Sequence, residues 1–318
     1  MSAEAALQDA PARLVLASRE SRLAMWQAEH VRDRLKALYP SCEIEILGLT
    51  TEGDRVLDRP LAEIGGKGLF IKELEVALAD GRADLAVHSM KDVPMQMPPG
   101  FSIGAILARE DPRDAFVSNH HESLQALPPG ARLGTSSLRR SAQLLALHPR
   151  LEIRPLRGNI NTRMRKLDDG EYDAIILAAA GLKRLGFAGR IRQIIPPPDC
   201  LPAVGQGALA IEIRADRADL FAWLAPLNHR ATELAVTCER SMAGRLAGSC
   251  RVPLAGYCES IDGGLHELRA RVAAPDGSEV LESVVRERLT DPGAASRIGL
   301  AAAEDLLAQG AARWLPLS

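Results

Sequence analysis

Short apolar segments alternate with amphipathic segments in two separate series, and this alternation limits the possible folds more than any other feature. The first series predicts strands and helices in turn at residues 14–18, 21–38, 43–49, 68–79 and 84–89. The second series predicts the same order at residues 132–134, 137–147, 152–156, 162–168 and 174–178. Strands separated by helices form a largely parallel sheet with helices on both faces. The sequence therefore predicts two doubly wound α/β lobes.

The rest of the chain predicts a crossing between the lobes and a third module. The run Pro196-Pro197-Pro198, followed by Pro202, interrupts regular structure. After it, residues 207–213 form a candidate strand that returns to the first lobe. The tail predicts a helix, three strands and a closing helix, an α+β pattern, at residues 232–246, 253–259, 265–273, 279–288 and 294–308. We expect domain 1 at residues 1–108 and 208–226, domain 2 at 109–207 and domain 3 at 227–318.

A short repeated pattern links the two lobes. Residues 80–84 and 169–173 each end a helix with Gly and start an apolar strand with Asp. Glycine is a common helix terminator, so chance could produce one such match. The pattern favours two lobes of related structure without establishing them.

Positive charge is concentrated in the second lobe. Residues 132–192 contain 13 Lys or Arg against 5 Asp or Glu, a local charge of +8 in a chain whose net charge is −2. The arginines are spaced among apolar positions, so the charge belongs to a folded lobe. Guanidinium groups match carboxylate and phosphate, which predicts an anionic ligand. The alternative is compositional bias, because Arg outnumbers Lys throughout, but bias does not explain the local excess of positive charge.

Composition narrows the class of protein. Hydrophobic residues make up 47% of the 318 residues and charged residues 25%, as in ordinary globular proteins of two or three domains. The first 12 residues have neither the basic nor the apolar part of a signal peptide, and no apolar run is long enough to span a membrane. The five cysteines are dispersed and fit reduced thiols. We therefore expect a soluble, cytoplasmic protein, and the absence of clustered Cys and His ligands predicts no metal site.

The segment HSMKDVP places Lys91 and Asp92 just after a predicted strand. Ligands of open α/β sheets bind at this edge. A carboxylate there can accept hydrogen bonds from ring N–H groups and stabilise a developing cation, while the lysine can hold an anionic substituent. The alternative is a solvated turn that ends at Pro94.

Two further strand-to-helix junctions carry paired arginines. In GTSSLRR, a hydroxyl of residues 135–137 caps a helix whose first turn carries Arg139 and Arg140. Cations at that position oppose the helix dipole and need some compensating reason. Arg157 and Arg163 flank a similar junction in LRGNINTR. Any one of these arginines could simply face solvent, but four at such junctions indicate a binding edge.

The junction at residues 18–21 repeats this arrangement in the first lobe. The Gly-rich residues 65–68 and 205–207 lack the spacing of nucleotide-binding loops, so we reject nucleotide binding. Residues 51–66, rich in charge and Gly, are a predicted mobile lid.

Cys250 is the one cysteine with a predicted chemical role. It lies in a loop between a helix and a strand, with Arg245 and Arg251 close in sequence. Positive neighbours favour the thiolate that covalent bonding requires. The alternative, which we assign to the other four cysteines, is a small buried apolar side chain.

Six segments resemble the porphobilinogen deaminase (hydroxymethylbilane synthase) family in their order: HSMKDVP, GTSSLRR, LRGNINTR, EYDAIILAAAGLKRLG, LPAVGQGALAIE and GSCRVP. The resemblance implies three domains, the first two similar to the lobes of periplasmic binding proteins, and a monomer. It implies a transferase that joins four porphobilinogen molecules head to tail, with release of ammonia, into hydroxymethylbilane for haem and other tetrapyrroles. Porphobilinogen carries acetate and propionate groups, which would account for the arginine excess.

The resemblance also implies roles for individual residues. Cys250 would carry a dipyrromethane cofactor through a thioether, and Asp92 would be the catalytic carboxylate. Cofactor binding is implied for Lys91, Asp92, Ser137, Arg139, Arg140 and Arg163. Substrate binding is implied for Arg19, Ser21, Gln27, Lys67, Arg157, Arg163 and Arg184. One departure is Arg22, where the family commonly has Pro, which puts the local geometry around Ser21 in doubt.

Two other classes of function compete with the enzyme. A two-lobed anion sensor would need neither Cys250 nor Asp92. A nucleic-acid binder would be expected to be basic and richer in aromatic residues than this chain, which has 3%. Cys250 and Asp92 thus argue against the sensor, and the composition argues against the nucleic-acid binder, so we favour the enzyme.

Overall fold

A computed structural model describes residues 11–55, 71–246 and 252–316. The strands are β1 (Arg13–Arg19), β2 (Glu43–Leu49), β3 (Leu85–Ser89), β4 (Phe101–Ile106), β5 (Asp114–Val117), β6 (Arg132–Gly134), β7 (Glu152–Arg154), β8 (Ala174–Ala178), β9 (Gln193–Ile195), β10 (Leu209–Arg214), β11 (Leu254–Ser260), β12 (His266–Ala273) and β13 (Val280–Glu287). The helices are α1 (Arg22–Leu38), α2 (Glu52–Arg55), α3 (Lys72–Ala79), α4 (Leu138–Leu147), α5 (Ile160–Asp168), α6 (Ala179–Arg184), α7 (Ala218–Leu224), α8 (Arg230–Arg245) and α9 (Pro292–Ala308).

Two five-stranded sheets share one plan. Their strand orders are β2-β1-β3-β10-β4 and β7-β6-β8-β5-β9. In each sheet the fourth strand, β10 or β5, runs antiparallel to both of its neighbours, and the other strands are parallel. The predicted α/β lobes are confirmed, and β10 is the predicted strand that returns to the first sheet.

The sequence prediction does not include β4, β5, β9, α2, α6 and α7. Strands β5 and β9 have four and three residues, too short for an alternating pattern to register. The predicted helix at 68–79 begins at Lys72, directly after the cap residue Ile71, and residues 68–70 lie outside the described part of the chain.

The first sheet forms its core mainly against α1. Ser21 caps this helix, because its Oγ accepts a hydrogen bond from the Ala24 N–H at 3.3 Å. Ala28, Val31 and Leu35 follow at helical spacing and pack against the sheet. Burial of each large apolar side chain stabilises the lobe by about 1.5–3 kcal/mol.

Alternating residues of β8 supply both cores of the second sheet. Ile175 and Leu177 join the cluster that contains Met164 of α5, whereas Ile176 joins the cluster that contains Leu144 of α4. Because successive side chains of a strand point to opposite faces, one apolar strand binds helices on both sides.

The repeated Asp of the two lobes has the same hydrogen bond in both. Asp84 precedes β3 and accepts from the Val15 N–H of β1, at 2.9 Å. Asp173 precedes β8 and accepts from the Arg132 N–H at the start of β6, at 2.7 Å. Each carboxylate therefore fixes the beginning of the central strand of its sheet.

The tail forms the predicted α+β region, an antiparallel sheet in the order β11-β12-β13 that packs against α9. Within the described residues, one compact unit comprises residues 11–55, 71–109 and 208–233, and a second comprises 110–207 and those from 234 onward. The second sheet and the tail thus belong to one unit, and the three-domain division stays a prediction. In the part of the chain that the structure describes, no helix is long and apolar enough to cross a membrane.

Candidate functional site

The predicted site residues lie mostly at the carboxyl ends of parallel strands. Arg19 ends β1 and Ser21 follows it, Lys91 and Asp92 follow β3, Ser137, Arg139 and Arg140 follow β6, Arg157 and Arg163 follow β7, and Arg184 ends α6 after β8. Gln27 lies within α1. Lys67, Cys250 and residues 56–66 of the predicted lid lie outside the described residues. In both sheets the edge is the one at which open α/β folds bind ligands.

Asp92 is held between two buried anchors. A 3₁₀ helix, Met90–Asp92, follows β3, and the Met90 N–H donates to the Ala208 carbonyl at 3.0 Å. Met90 and Val93 are buried, whereas Lys91 and Asp92 between them are half-buried. No side chain in the described ranges pairs with the Asp92 carboxylate. The fold thus presents an acceptor oxygen at the end of β3.

Polar side chains hold His88 and Ser89, the two residues that precede the 3₁₀ helix Met90–Asp92. His88 Nε2 lies 2.8 Å from Glu212 Oε2 of β10, and both side chains are buried. Gln27 Nε2 donates to Ser89 Oγ at 2.8 Å. Gln27 is buried, so the structure places it against the segment that carries Asp92, and its predicted contact with substrate stays a prediction.

The carboxyl group of Glu75 lies near the His88–Glu212 pair. Burial raises the pKa of the Glu75 carboxyl, and the Glu212 carboxylate raises it further. The surroundings of Glu75 therefore disfavour its ionised form.

Arg22 leaves the capped start of α1 intact. It is the first residue of the helix and is exposed to solvent, while Ser21 forms the cap. The replacement of Pro by Arg is compatible with the usual geometry, since any residue with helical dihedral angles fits this first position.

In the second unit, Arg139 and Arg140 share one buried carboxylate. Ser137 caps α4 by accepting from the Arg140 N–H at 3.4 Å. Arg139 Nη2 lies 2.7 Å from Asp114 Oδ2, and Arg140 Nη2 lies 2.7 Å from Asp114 Oδ1. Asp114 is the compensating anion that two cations on the first turn of a helix require. The sequence pattern does not single out Asp114, because its partner Arg140 lies 26 positions away along the chain.

The second Nη of each guanidinium group donates to a backbone carbonyl. Arg139 Nη1 donates to the Leu201 carbonyl at 2.6 Å, and Arg140 Nη1 donates to the Ile176 carbonyl at 3.1 Å. Burial alone would raise the pKa of the Asp114 carboxyl, but the two guanidinium groups outweigh it and hold that pKa well below its usual range.

Three further arginines of the second unit are half-buried, namely Arg157, Arg163 and Arg184. Arg163 Nε donates to the Gly158 carbonyl at 2.7 Å, and Arg184 Nη2 donates to the Gly207 carbonyl at 2.8 Å. Burial lowers the pKa of Arg184, although that group stays positively charged at neutral pH. These contacts fix the long side chains near the strand ends.

One of the two cations near Cys250 in sequence has an acidic partner of its own. Arg245, one of its two cationic neighbours in sequence, is bound to Glu304, with 2.6 Å between Nε and Oε1. Its charge is therefore compensated, and Arg251 lies outside the described residues.

The donor set of the second unit fits a ligand that carries carboxylates. Two guanidinium groups face one carboxylate, which leaves a surplus positive charge. Arg140 Nε is buried and has no hydrogen-bond partner in the described part of the chain. A buried donor without a partner is costly unless a ligand satisfies it.

Fold and site together define an α/β enzyme of two lobes, with an acceptor carboxylate at the strand ends of one and arginine-rich strand ends in the other. Residues 14–222 match the sequence model "Porphobilinogen deaminase, dipyromethane cofactor binding domain", and residues 233–308 match "Porphobilinogen deaminase, C-terminal domain". The chain belongs to the porphobilinogen deaminase family. The resemblance, the enzyme class and the dipyrromethane cofactor predicted from sequence are confirmed.

Curated relatives match almost the whole chain. A porphobilinogen deaminase of Paraburkholderia phymatum is 61% identical over 98% of this chain and 95% of the relative. One of Ralstonia nicotianae is 61% identical over 95% of this chain and 90% of the relative. One of Paraburkholderia phytofirmans is 62% identical over 95% of this chain and 88% of the relative.

Likeness to solved structures is much weaker. The methionine-binding protein MetQ is 13% identical, with a TM-score of 0.44 over 70% of this chain and 93% of that chain. The aliphatic sulphonate binding protein SsuA from Escherichia coli is 14% identical, with a TM-score of 0.40 over 76% of each chain. These likenesses are too slight to add to the fold described above.

Proposed function

We propose that this chain joins four porphobilinogen molecules head to tail, with release of ammonia at each addition, to form hydroxymethylbilane for the synthesis of haem and other tetrapyrroles. The observation that carries the proposal is the Asp92 carboxylate, held at the end of β3 between buried Met90 and Val93. Membership of the porphobilinogen deaminase family supplies the identity of the substrate.

Asp92 is the proposed catalytic residue. The protonated amino group on the aminomethyl arm of porphobilinogen leaves as ammonia when its C–N bond breaks, and the methylene-pyrrole that remains carries a positive charge shared with its ring nitrogen. A carboxylate that accepts a hydrogen bond from this ring N–H stabilises the cation more strongly than it stabilises the neutral substrate. The acceptor oxygens of Asp92, which pair with no side chain among the described residues, suit this role.

The arginines and Lys91 are the proposed partners of the ring substituents. Each pyrrole carries an acetate and a propionate group, and guanidinium groups form paired, charge-assisted hydrogen bonds with carboxylates. We assign substrate binding to Arg19, Ser21, Gln27, Lys67, Arg157, Arg163 and Arg184.

The proposed attachment point of the dipyrromethane cofactor is Cys250, through a thioether. When bound, dipyrromethane supplies the terminal pyrrole ring to which the first substrate is joined. We assign its binding to Lys91, Asp92, Ser137, Arg139, Arg140 and Arg163. The surplus positive charge around Asp114 and the buried Arg140 Nε without a partner among the described residues support this assignment.

The test is Asp92→Asn, which keeps the shape of the side chain and removes its charge. We expect turnover of porphobilinogen to fall by at least about 100-fold, the usual minimum for a group that assists directly in the transition state. The melting temperature should stay near that of the wild type, because Asp92 is half-buried and pairs with no described side chain. Asp80→Asn, at the exposed end of α3, is the matched control and should keep full activity. Near-normal turnover by Asp92→Asn would remove this residue from its role.

We further propose a monomeric, cytoplasmic enzyme with three domains, at residues 1–108 and 208–226, 109–207, and 227–318, and with no nucleic-acid or membrane partner. Buried Cys42, Cys200 and Cys238 lie outside any disulfide, which suits a reducing compartment. The separate antiparallel sheet of the tail supports a third domain. Light scattering on the purified chain should give the mass of one chain, and limited proteolysis should cut near the domain boundaries.

A further inference from the structure

The carboxylate of Asp114 is the centre of a buried polar cluster. Asp114 is 0% exposed, and Arg139 and Arg140 are 5% and 6% exposed. Besides the two guanidinium groups, Gln206 Nε2 donates to Asp114 Oδ1 at 2.9 Å, and the Cys200 thiol donates to Oδ2 at 3.5 Å. Both carboxylate oxygens are therefore fully engaged by groups from three separate parts of the chain.

This arrangement leaves Asp114 unable to bind a ligand itself. Its two oxygens are already engaged by four donors, and its negative charge would repel a ligand carboxylate. Its effect on a ligand must pass through the groups that it holds.

Asp114 controls the orientation of both guanidinium groups. Each guanidinium has one Nη on Asp114 and the other on a backbone carbonyl, so two acceptors fix each planar group. Without the carboxylate, two adjacent cations would repel each other in a dry interior on the first turn of α4. Both side chains would then turn away from their present directions.

We propose that Asp114 is a positioning residue that holds Arg139 and Arg140 in the orientation in which they bind the carboxylates of the dipyrromethane cofactor. This inference rests on the proposed function. Asp114 leaves the cluster one positive charge in excess and leaves Arg140 Nε, buried and without a partner in the described part of the chain, for the ligand. The carboxylate thus sets both the charge and the geometry of the cofactor-binding arginines.

The chain offers a matched control in Asp111. Its side chain is 7% exposed and also pairs with two cations, Arg113 at 2.8 Å and Lys183 at 3.0 Å. Neither cation belongs to the Asp114 cluster. Asp111→Asn therefore removes a comparable ion pair without touching Arg139 or Arg140.

The experiment measures cofactor occupancy by intact-protein mass spectrometry on purified Asp114→Asn, Asp111→Asn and wild type, with circular dichroism to establish the folded fraction. For Asp114→Asn we expect cofactor occupancy to fall at least about tenfold. Removal of the carboxylate leaves two buried guanidinium groups without their anion, so they no longer keep the orientation that binds the cofactor. For Asp111→Asn we expect occupancy equal to that of the wild type, with a lowered melting temperature. Equal occupancy in folded Asp114→Asn and wild type would overturn the proposal.

Two further variants separate positioning from a purely structural role. In an Arg140→Met background, Asp114→Asn should cause much less additional loss of occupancy, because part of its effect passes through Arg140; fully additive losses would contradict this. If Asp114→Asn fails to fold, Asp114→Glu keeps the charge and displaces it by one methylene. Reduced occupancy in Asp114→Glu supports positioning, whereas wild-type occupancy overturns it. Absence of the cofactor from wild type would instead refute the proposed function.

Discussion

The turn between β12 and β13 packs tightly on α4, and Gly277→Ala tests that contact. Gly277 has a φ of +77°, a left-handed conformation. A Cβ at this position would lie 2.7 Å from both the Ala142 carbonyl oxygen and the Ala146 nitrogen, and 2.8 Å from Leu145 Cβ. Backbone atoms of a helix do not move aside easily, so the variant must shift the turn away from the helix that carries Arg139 and Arg140.

The cost of this substitution has two parts. A non-glycine residue in the left-handed region costs roughly 1–2 kcal/mol. Forcing an extra methyl group into a packed contact costs about 1–3 kcal/mol more. Gly130→Ala isolates the first part, because Gly130 has a φ of +78° and no heavy atom within 4 Å of its added Cβ.

The assay is urea unfolding at equilibrium of the two variants and the wild type. We expect Gly277→Ala to lower the free energy of unfolding by about 2–5 kcal/mol, and Gly130→Ala by roughly 1–2 kcal/mol. The difference of about 1–3 kcal/mol measures the contact with α4. Equal destabilisation of the two variants would refute the packing of this turn against the helix.

Three further predictions follow from the titratable groups. The pKa of Glu75 is raised by burial and by the Glu212 carboxylate, so its contribution to stability is present below the unfolded pKa and is lost as pH rises through the folded pKa. Thermal unfolding of Glu75→Gln should therefore show increasing stability relative to wild type from about pH 4 to pH 7, and a constant difference would contradict the environment described for Glu75. The Arg132 guanidinium lowers the pKa of Asp173 to about 2, so its contribution is present above the unfolded pKa and is lost as pH falls through the folded pKa. Asp173→Asn should lower the free energy of unfolding by about 1 kcal/mol at neutral pH, and this difference from wild type should narrow as pH falls from about 4 to 2. A difference in unfolding free energy that does not depend on pH would count against the ion pair. Burial raises the pKa of the Cys200 thiol to about 12, so iodoacetamide at about pH 8 should modify Cys200 only after unfolding, as peptide mapping would show; rapid modification of the native chain would disprove its burial.

The elements that sequence predicted best are long and regularly patterned. Helix α1 begins directly after Ser21 because a side-chain cap and a regular apolar face agree there. Strand β5 was missed because it has four residues and opens with a charged one. A buried Asp can open a strand only where hydrogen-bonding or cationic partners surround it. Because sequence does not show those partners, it does not predict such a strand.

The Asp114 cluster illustrates how far sequence can define a site. The two cations at the start of α4 indicated from sequence only that some feature must compensate their charge. Part of the compensation comes from the protein itself, through Asp114. This residue lies 26 positions from Arg140 in sequence, and the two meet only because β5 pairs with β8 and α4 packs against the sheet. The resemblance to a family identified the ligand, whereas only the fold shows which carboxylate holds the arginines.

The most direct test of the enzyme and its covalent cofactor is the intact mass of the purified chain under denaturing conditions. The wild type should exceed the mass of its sequence by two linked pyrrole units. Cys250→Ser should lack this addition, and Cys238→Ala, which removes another thiol, should retain it. An active wild-type protein with the unmodified mass of its sequence would contradict the proposed attachment at Cys250.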